Sequence, residues 1–266
     1  MNFTHLHVHS HYSILDGMSK VPDLVDKARR DGMNAIALTD HGNMFGIKEL
    51  LDYCKKINTK PKAKVKECED AIKKETDDAK RAQLEAELVE LKEKAETYVP
   101  FKPIVGVEAY CARRTLFDKS NDVKEINPDN GRERPVDRSG WHLILLAKNK
   151  KGYQNLCKIV SQAWIDGFNS KPRMDKNILQ QYHEGLIVTS ACIAGEIPQK
   201  ILAGKLDEAE EAIRWFKSVF GDDYYLEVQR HKADVDNADH HVYGVQQKVI
   251  PHIMELARRT GTKVIA

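Results

Sequence analysis

Short runs rich in Val, Ile and Leu recur along this chain, separated by longer stretches whose apolar residues return every three or four positions. The first pattern predicts strands near 3–8, 34–39, 103–109, 141–147, 186–190, 223–229 and 262–266. The second predicts helices near 21–31, 45–57, 150–165, 195–218 and 236–260. Strands alternating with helices in this way point to a parallel sheet with helices between its strands. Seven such strands fit a closed (β/α) barrel better than an open sheet.

Two stretches interrupt the alternation. Residues 60–97 carry ten basic and eleven acidic side chains, no Gly and only Pro61. Val65, Cys68 and Ile72 keep a helical spacing, as do Leu84, Leu88, Leu91 and Ala95. One helix of that length would end on the order of 50 Å from its start, yet the chain must return to a strand at 103. An inserted antiparallel helical hairpin is therefore expected, turning near Thr76 to Asp78, where short polar side chains can cap a new helix. Its charges read most simply as a solvated surface, with a partner-binding arm as the alternative. Residues 111–140 are rich in Asn, Asp, Gly and Arg and read as a long loop leading into Trp141-His142.

Composition narrows the class. The 266 residues are 41% hydrophobic, enough for a barrel-sized core. A net charge of +2 makes no case for a nucleic-acid protein, although Arg113-Arg114, Arg132 to Arg138 and Lys148 to Lys151 form local basic clusters. Five cysteines without CxxC spacing suit free thiols in a reducing compartment. No apolar run reaches membrane-spanning length, and the N-terminus lacks an export pattern. The chain reads as soluble and cytoplasmic, without a membrane partner.

Chemistry enters with His5-Leu6-His7-Val8-His9. On a strand this alternation puts three imidazoles on one face and Leu6 and Val8 on the other. Such a strand can offer imidazoles to a metal; incidental histidines on a half-exposed edge strand are the plain alternative. Asp16 follows this strand, and His41 ends the second in Thr39-Asp40-His41-Gly42. Glu108 ends the third, His142 belongs to the fourth, and Cys192 follows the fifth. Ligand types recurring at strand ends suit a site at one barrel mouth. Mixed His and carboxylate favours zinc, manganese or iron over calcium or magnesium alone. Glu108 could bridge two ions, and two ions on one phosphate would polarise it, deprotonate a water and neutralise the leaving oxygen. Asp40 suits orienting His41 from behind better than binding metal itself.

Plainer readings stand beside these. Asp16 could simply belong to an Asp-Gly turn, Cys192 could be a small buried hydrophobe, and His142 could be a satisfied core histidine. Glu108 has the weakest alternative, because an unpaired buried carboxylate is costly. His240 and His241 read as solvent-facing helix residues. Arg230, His231, Lys148 and Arg113 are candidate contacts for a substrate phosphate, each also readable as a surface cation.

The motifs together carry a resemblance. They are Phe3-Thr4-His5-Leu6-His7-Val8-His9-Ser10-His11-Tyr12-Ser13, Ala37-Leu38-Thr39-Asp40-His41-Gly42-Asn43-Met44 and Lys102-Pro103-Ile104-Val105-Gly106-Val107-Glu108-Ala109-Tyr110. They continue with His142-Leu143-Ile144-Leu145-Leu146-Ala147-Lys148-Asn149, with His183-Glu184-Gly185-Leu186 to Ser190-Ala191-Cys192, and with Tyr225-Leu226-Glu227-Val228-Gln229-Arg230. Over nearly its whole length the chain resembles the PHP (polymerase and histidinol phosphatase) domain that opens the α subunit of bacterial DNA polymerase III. The resemblance implies a distorted, TIM-like, seven-stranded (β/α) barrel over residues 1–266, with 60–97 as an added feature. It implies up to three divalent ions at the mouth, zinc foremost and manganese or iron as alternatives. His7, His9, Asp16, His41, Glu108, His142 and Cys192 fall on ligand positions, Cys192 where free-standing relatives carry His. Asp40, Glu108 and His142 fall in the catalytic group. Family members continue past the last strand with a segment like Thr-Asn-Asp-x-His, which supplies two further ligands, and this chain stops just before it.

The function so implied is part of a DNA-directed DNA polymerase acting in replication. Its metal-dependent phosphoesterase site would suit 3′→5′ proofreading. The implied partners are DNA, through the full-length polymerase, a proofreading exonuclease subunit and other holoenzyme subunits. A non-catalytic scaffold that binds the exonuclease subunit and steadies the polymerase core is the alternative. A free-standing phosphatase of small phosphomonoesters is a more distant one.

Overall fold

The computed structural model describes residues 3–128, 130–235 and 241–266. Its central strand is β2 (Lys102–Cys111), flanked on one side by β1 (Ala35–Leu38), which runs parallel to it. Along its further half, β2 pairs antiparallel with β5 (Trp141–Ala147), which pairs antiparallel with β8 (Leu186–Thr189). The series continues in parallel through β9 (Tyr224–Glu227) to β10 (Lys263–Ile265). The end of β2 also pairs with β7 (Lys171–Met174), which turns back onto the two-residue β6 (Phe168–Asn169). These eight strands form one curled sheet, a half-barrel with helices against its outer face. A small separate hairpin, β3 (Lys124–Ile126) with β4 (Glu133–Pro135), lies within the stretch read as a loop.

The sheet differs from an all-parallel barrel in one consequential respect, the reversed direction of β5. Side-chain period alone does not encode strand direction, so the sequence pattern could not reveal it. Alternation along β5 sends Leu143 and Leu145 outward into the main core and Ile144 and Leu146 inward. The inner cluster comprises Ala37, Ile144, Leu146 and Ala191, with Leu6, Ile104 and Ile187 packed against it. Outside, α4 (Lys150–Ile165), α5 (Lys176–Gln181), α6 (Glu196–Leu202), α7 (Leu206–Phe220) and α8 (His241–Thr260) cover the sheet. A second core forms where α1 (Val21–Arg30) and the start of α2 (Ile47–Ile72) cover β1.

Residues 3–8 do not form the expected strand. The His5 and Val8 carbonyls accept from Ala37 and Thr39 N–H at 2.9 and 2.8 Å. Val8 N–H, however, goes to the Thr39 hydroxyl at 2.8 Å, which ends the backbone ladder. Leu6 packs inside the barrel while Val8 joins the outer α1–α2 core, so the two-residue alternation is lost. The helix expected over 195–218 is two helices, α6 and α7. Gly204, at φ +72, takes the left-handed conformation after α6. Its N–H bonds Ile201 O and Lys205 N–H bonds Lys200 O, a Schellman end that stops the first helix.

The charged stretch also differs in its beginning. No break follows residue 57; α2 runs on through Pro61 to Ile72 and turns into α3 (Asp78–Glu96). Asp77 caps α3 by accepting Lys80 N–H at 3.0 Å. The helices pack antiparallel, with Cys68 Sγ donating to Leu84 O and Lys92 paired to Glu69 at 2.9 Å. No side chain of α3 is buried, so charge dominates its surface. Among the described residues, no helix is long and apolar enough to cross a membrane. His240 and the start of the helix expected from 236 lie outside the described residues, while His241 opens α8 on an exposed turn.

Candidate metal centre

The site is organised by one buried carboxylate. On β2, Val107, Ala109 and Cys111 face the outer core, so the intervening Glu108 faces the barrel interior. It is 1% exposed. His41 follows β1 and forms an isolated parallel bridge with Glu108, bringing its ring across the carboxylate. Gly42 makes this passage possible, because its φ is +61 and a Cβ there would stand 2.6 Å from the Pro172 ring. His142 shares the inward side of β5 with Ile144 and Leu146. It stands at the start of β5, so only the reversed direction of that strand brings it to the mouth.

Four imidazoles converge on Glu108. His7 Nε2 lies 3.2 Å and His142 Nδ1 2.8 Å from Oε1; His9 Nε2 lies 3.3 Å and His41 Nδ1 2.6 Å from Oε2. Cys192 Sγ, just beyond β8, is 3.7 Å from Glu108 Oε1 and 3.6 Å from His142 Nδ1. Asp16 approaches from the rim, its Oδ2 3.1 Å from His41 Nε2, with a side chain 62% exposed. His5 does not join them; its exposed ring meets Phe3 edge-on.

Around this centre lie polar groups of two kinds. Asp40 is buried behind the ligands rather than against the His41 ring. It accepts Ser10 N–H and Ser13 Oγ–H at Oδ1, both at 2.7 Å, and Ser10 Oγ–H at Oδ2 at 2.8 Å. Ser13 Oγ in turn accepts His41 N–H at 3.0 Å and stands 2.9 Å from His9 Nδ1. The second kind is Glu227, at the end of β9, whose Oε1 is 2.8 Å from His7 Nδ1. Gln229 Nε2 bonds the same Glu227 oxygen at 2.6 Å. Sequence reasoning passed over Glu227 as a site residue. The signal was there: a carboxylate ending a buried strand, the same argument that singled out Glu108. Tyr110, also inward-facing on β2, stacks at 6.0 Å from His41 and meets His142 edge-on at 5.2 Å.

Electrostatics follow from this packing. Burial disfavours a charged His7, but hydrogen bonds and charge from Glu108 and Glu227 outweigh it and raise its pKa to about 10. Burial likewise opposes ionisation of Glu108, and the four histidines overcome it, holding its carboxyl well below the ordinary range. Burial, seconded by the nearby Glu108 charge, pushes the Cys192 thiol strongly upward, so it is a thiol in the absence of a cation.

The candidate phosphate contacts separate. Arg230 and His231 line a crevice with Phe3, His5, His7 and Glu227. Lys148 follows the far end of β5, about 20 Å along the strand from His142, and pairs with Asp223 at 2.7 Å. Arg113 pairs with Glu125 at 2.7 Å and lies over the Trp141 ring. The first two share the mouth; the last two do not.

The donor set fits divalent cations. His7, His9 and Glu108 form one group, and His41, Glu108 and His142 another, each with its ligand atoms within 4.8 Å of one another. Glu108 belongs to both. His41 Nδ1 and Glu108 Oε2 stand close but off the axis of a hydrogen bond, and both are buried without a hydrogen-bond partner. Buried polar atoms are ordinarily paired, and a shared cation would satisfy both at once. Cys192, with a thiolate, and Asp16 extend the ligand choice on either side of the second group.

Comparison with known proteins gives a consistent result. Residues 5–231 match the PHP domain family. The chain is 42% identical to the DNA polymerase III subunit alpha of Borreliella burgdorferi, over 86% of this chain and 15% of that protein. Identity is 36% with the subunit of Treponema pallidum and 33% with that of Thermus aquaticus, each over 100% of this chain and 17% of the relative. The chain thus spans only 15% to 17% of the length of these relatives.

Proposed function

The chain belongs to the PHP domain family and is homologous to the N-terminal region of DNA polymerase III alpha subunits. From that premise we propose that it serves a replicative polymerase in the cytoplasm, carrying a metal-dependent phosphoesterase site that trims a DNA 3′ end. The observation that supports this reading most is the shared use of Glu108 by two ligand groups. Two cations bridged by one carboxylate suit phosphodiester hydrolysis, since they can activate a water and neutralise the leaving oxygen.

His7, His9, His41, Glu108 and His142 would hold the cations, with Asp16 and Cys192 at the edges of the set. Zinc suits these nitrogen, oxygen and sulfur donors best, with manganese or iron as alternatives. Glu108 keeps its negative charge in the buried site because four imidazoles surround it. Arg230 and His231, which line a crevice with His7 and Glu227, would receive the backbone phosphates of a strand entering the mouth. Asp40 acts from behind, through Ser13. Polymerisation, contacts with holoenzyme subunits and docking of an exonuclease subunit would belong to the whole polymerase.

The experiment is a 5′-labelled single strand incubated with the full-length subunit and zinc or manganese. His142→Ala is expected to abolish shortening while polymerisation persists. Shortening that survives His142→Ala would overturn the proposal. A scaffold role is favoured by one observation, the direct contacts that tie all four imidazoles to Glu108 in a closed cluster. It predicts that His142→Ala lowers thermal stability in a wild type that never shortens the strand.

A further inference from the structure

Ser13 faces three partners at once, and the number of its protons decides what each must do. A carboxylate only accepts hydrogen bonds, so the single hydroxyl proton goes to Asp40 Oδ1, 2.7 Å away. One lone pair of Oγ takes His41 N–H at 3.0 Å. The remaining lone pair meets His9 Nδ1 at 2.9 Å. Two acceptors cannot share a hydrogen bond, so His9 Nδ1 carries the proton. In the neutral ring, the form that binds a metal, the lone pair is then on Nε2, which stands 3.3 Å from Glu108 Oε2.

Resting on the metal-site reading above, we infer that Ser13, held by Asp40, is a positioning residue that fixes the His9 tautomer so that Nε2 is presented to a divalent cation. His7 is oriented differently. Glu227 accepts at its Nδ1 directly, and Nε2 turns to Glu108 Oε1. The two histidines of one ligand group are thus oriented by a buried carboxylate in one case and by a hydroxyl relay to a carboxylate in the other. An imidazole ligand needs its second nitrogen engaged in this way, since the engaged nitrogen decides which one is left to coordinate. Asp40 and Ser13 are nearly fully buried, so water does not substitute for either in the relay. With His9 neutral, its Nε2 lone pair would face Glu108 Oε2 across 3.3 Å, a gap that a cation closes favourably.

The test is a double-mutant cycle in the full-length protein, read as zinc affinity by competition with a chromophoric chelator and as the thermal midpoint of the metal-free protein. Ser13→Ala is expected to weaken zinc binding about 10- to 100-fold. In a His9→Ala background the same substitution is expected to cost about twofold or less, because its route to the metal is gone. The midpoint of the metal-free protein should fall in both backgrounds, because Ser13→Ala removes the bonds to Asp40 and to His41 N–H in each. An equal loss of zinc affinity in both backgrounds, or no loss in either, would overturn the relay. His9→Ala without effect on zinc would instead overturn the metal-site reading and the inference with it.

Discussion

Glu227 Oε1 stands 2.8 Å from His7 Nδ1, joining residues 220 positions apart. Glu227 is only 5% exposed, and Thr189 and Gln229 complete its hydrogen bonds. A buried carboxylate engaging one nitrogen of an imidazole makes the other a stronger ligand. Glu227→Gln keeps the shape and removes the charge. It is expected to weaken zinc binding about 10- to 100-fold with little change in secondary structure. Isothermal titration with zinc checks this, and an unchanged affinity contradicts it.

Glu108 and Glu227 together set a pH dependence at His7 in the metal-free protein. His7 has a pKa of about 10 when folded against 6.5 unfolded. Below pH 6.5 both states are protonated and the stabilisation is complete. As pH rises toward 10 only the unfolded state loses the proton, so stability falls, by roughly 1 kcal/mol per pH unit for one proton. Glu108 has the opposite sign: its lowered pKa contributes stability above pH 4.5 that is lost on acidification. Urea midpoints at pH 6.5 and pH 9 should therefore decrease without metal, and His7→Ala should flatten the decrease. A midpoint that rises over this interval contradicts the arrangement. With zinc present the trend should reverse, because the cation competes with the proton for Nε2.

Much of this arrangement could be read from residue order, and the exceptions have identifiable causes. His7, His9, His41, Glu108 and His142 were expected to share one mouth, and they stand around one carboxylate. The reasoning from strand ends fits His41 and Cys192, but His142 begins its strand, and only the antiparallel course of β5 brings it round. The same reversal places Lys148 at the opposite end, where a parallel barrel would have put it near the ligands. Residues 3–8 have the alternation of a strand, but the Thr39 hydroxyl takes the Val8 N–H that a ladder would need. β6 and β7 were missed because they are short and β7 contains Pro172, a residue that argues against strands. Gly204 within 195–218 was a helix stop that the apolar spacing on either side concealed.

The inner cluster is small, so each of its large side chains should matter out of proportion to its size. Ile144 is fully buried and pairs across the sheet with both Glu108 and Thr189. Ile144→Ala is expected to lower stability by about 2–5 kcal/mol. Chemical denaturation measures it, and a loss below about 1 kcal/mol would show that the barrel interior collapses freely around the gap.

The charged hairpin should behave oppositely. Leu88 on α3 is only partly covered, and that helix buries no side chain. Leu88→Ala is expected to cost less than about 1 kcal/mol and to leave zinc affinity unchanged. A change in zinc binding would show coupling between the hairpin and the mouth.

Glu108 is the residue common to both ligand groups, so the most direct measurement is the zinc content of wild type and Glu108→Gln after equilibration and gel filtration. The account predicts at least two ions bound to the wild-type chain, with occupancy of both lost or sharply reduced in the variant. A wild type that retains no zinc, or a variant that retains as much as wild type, would contradict it.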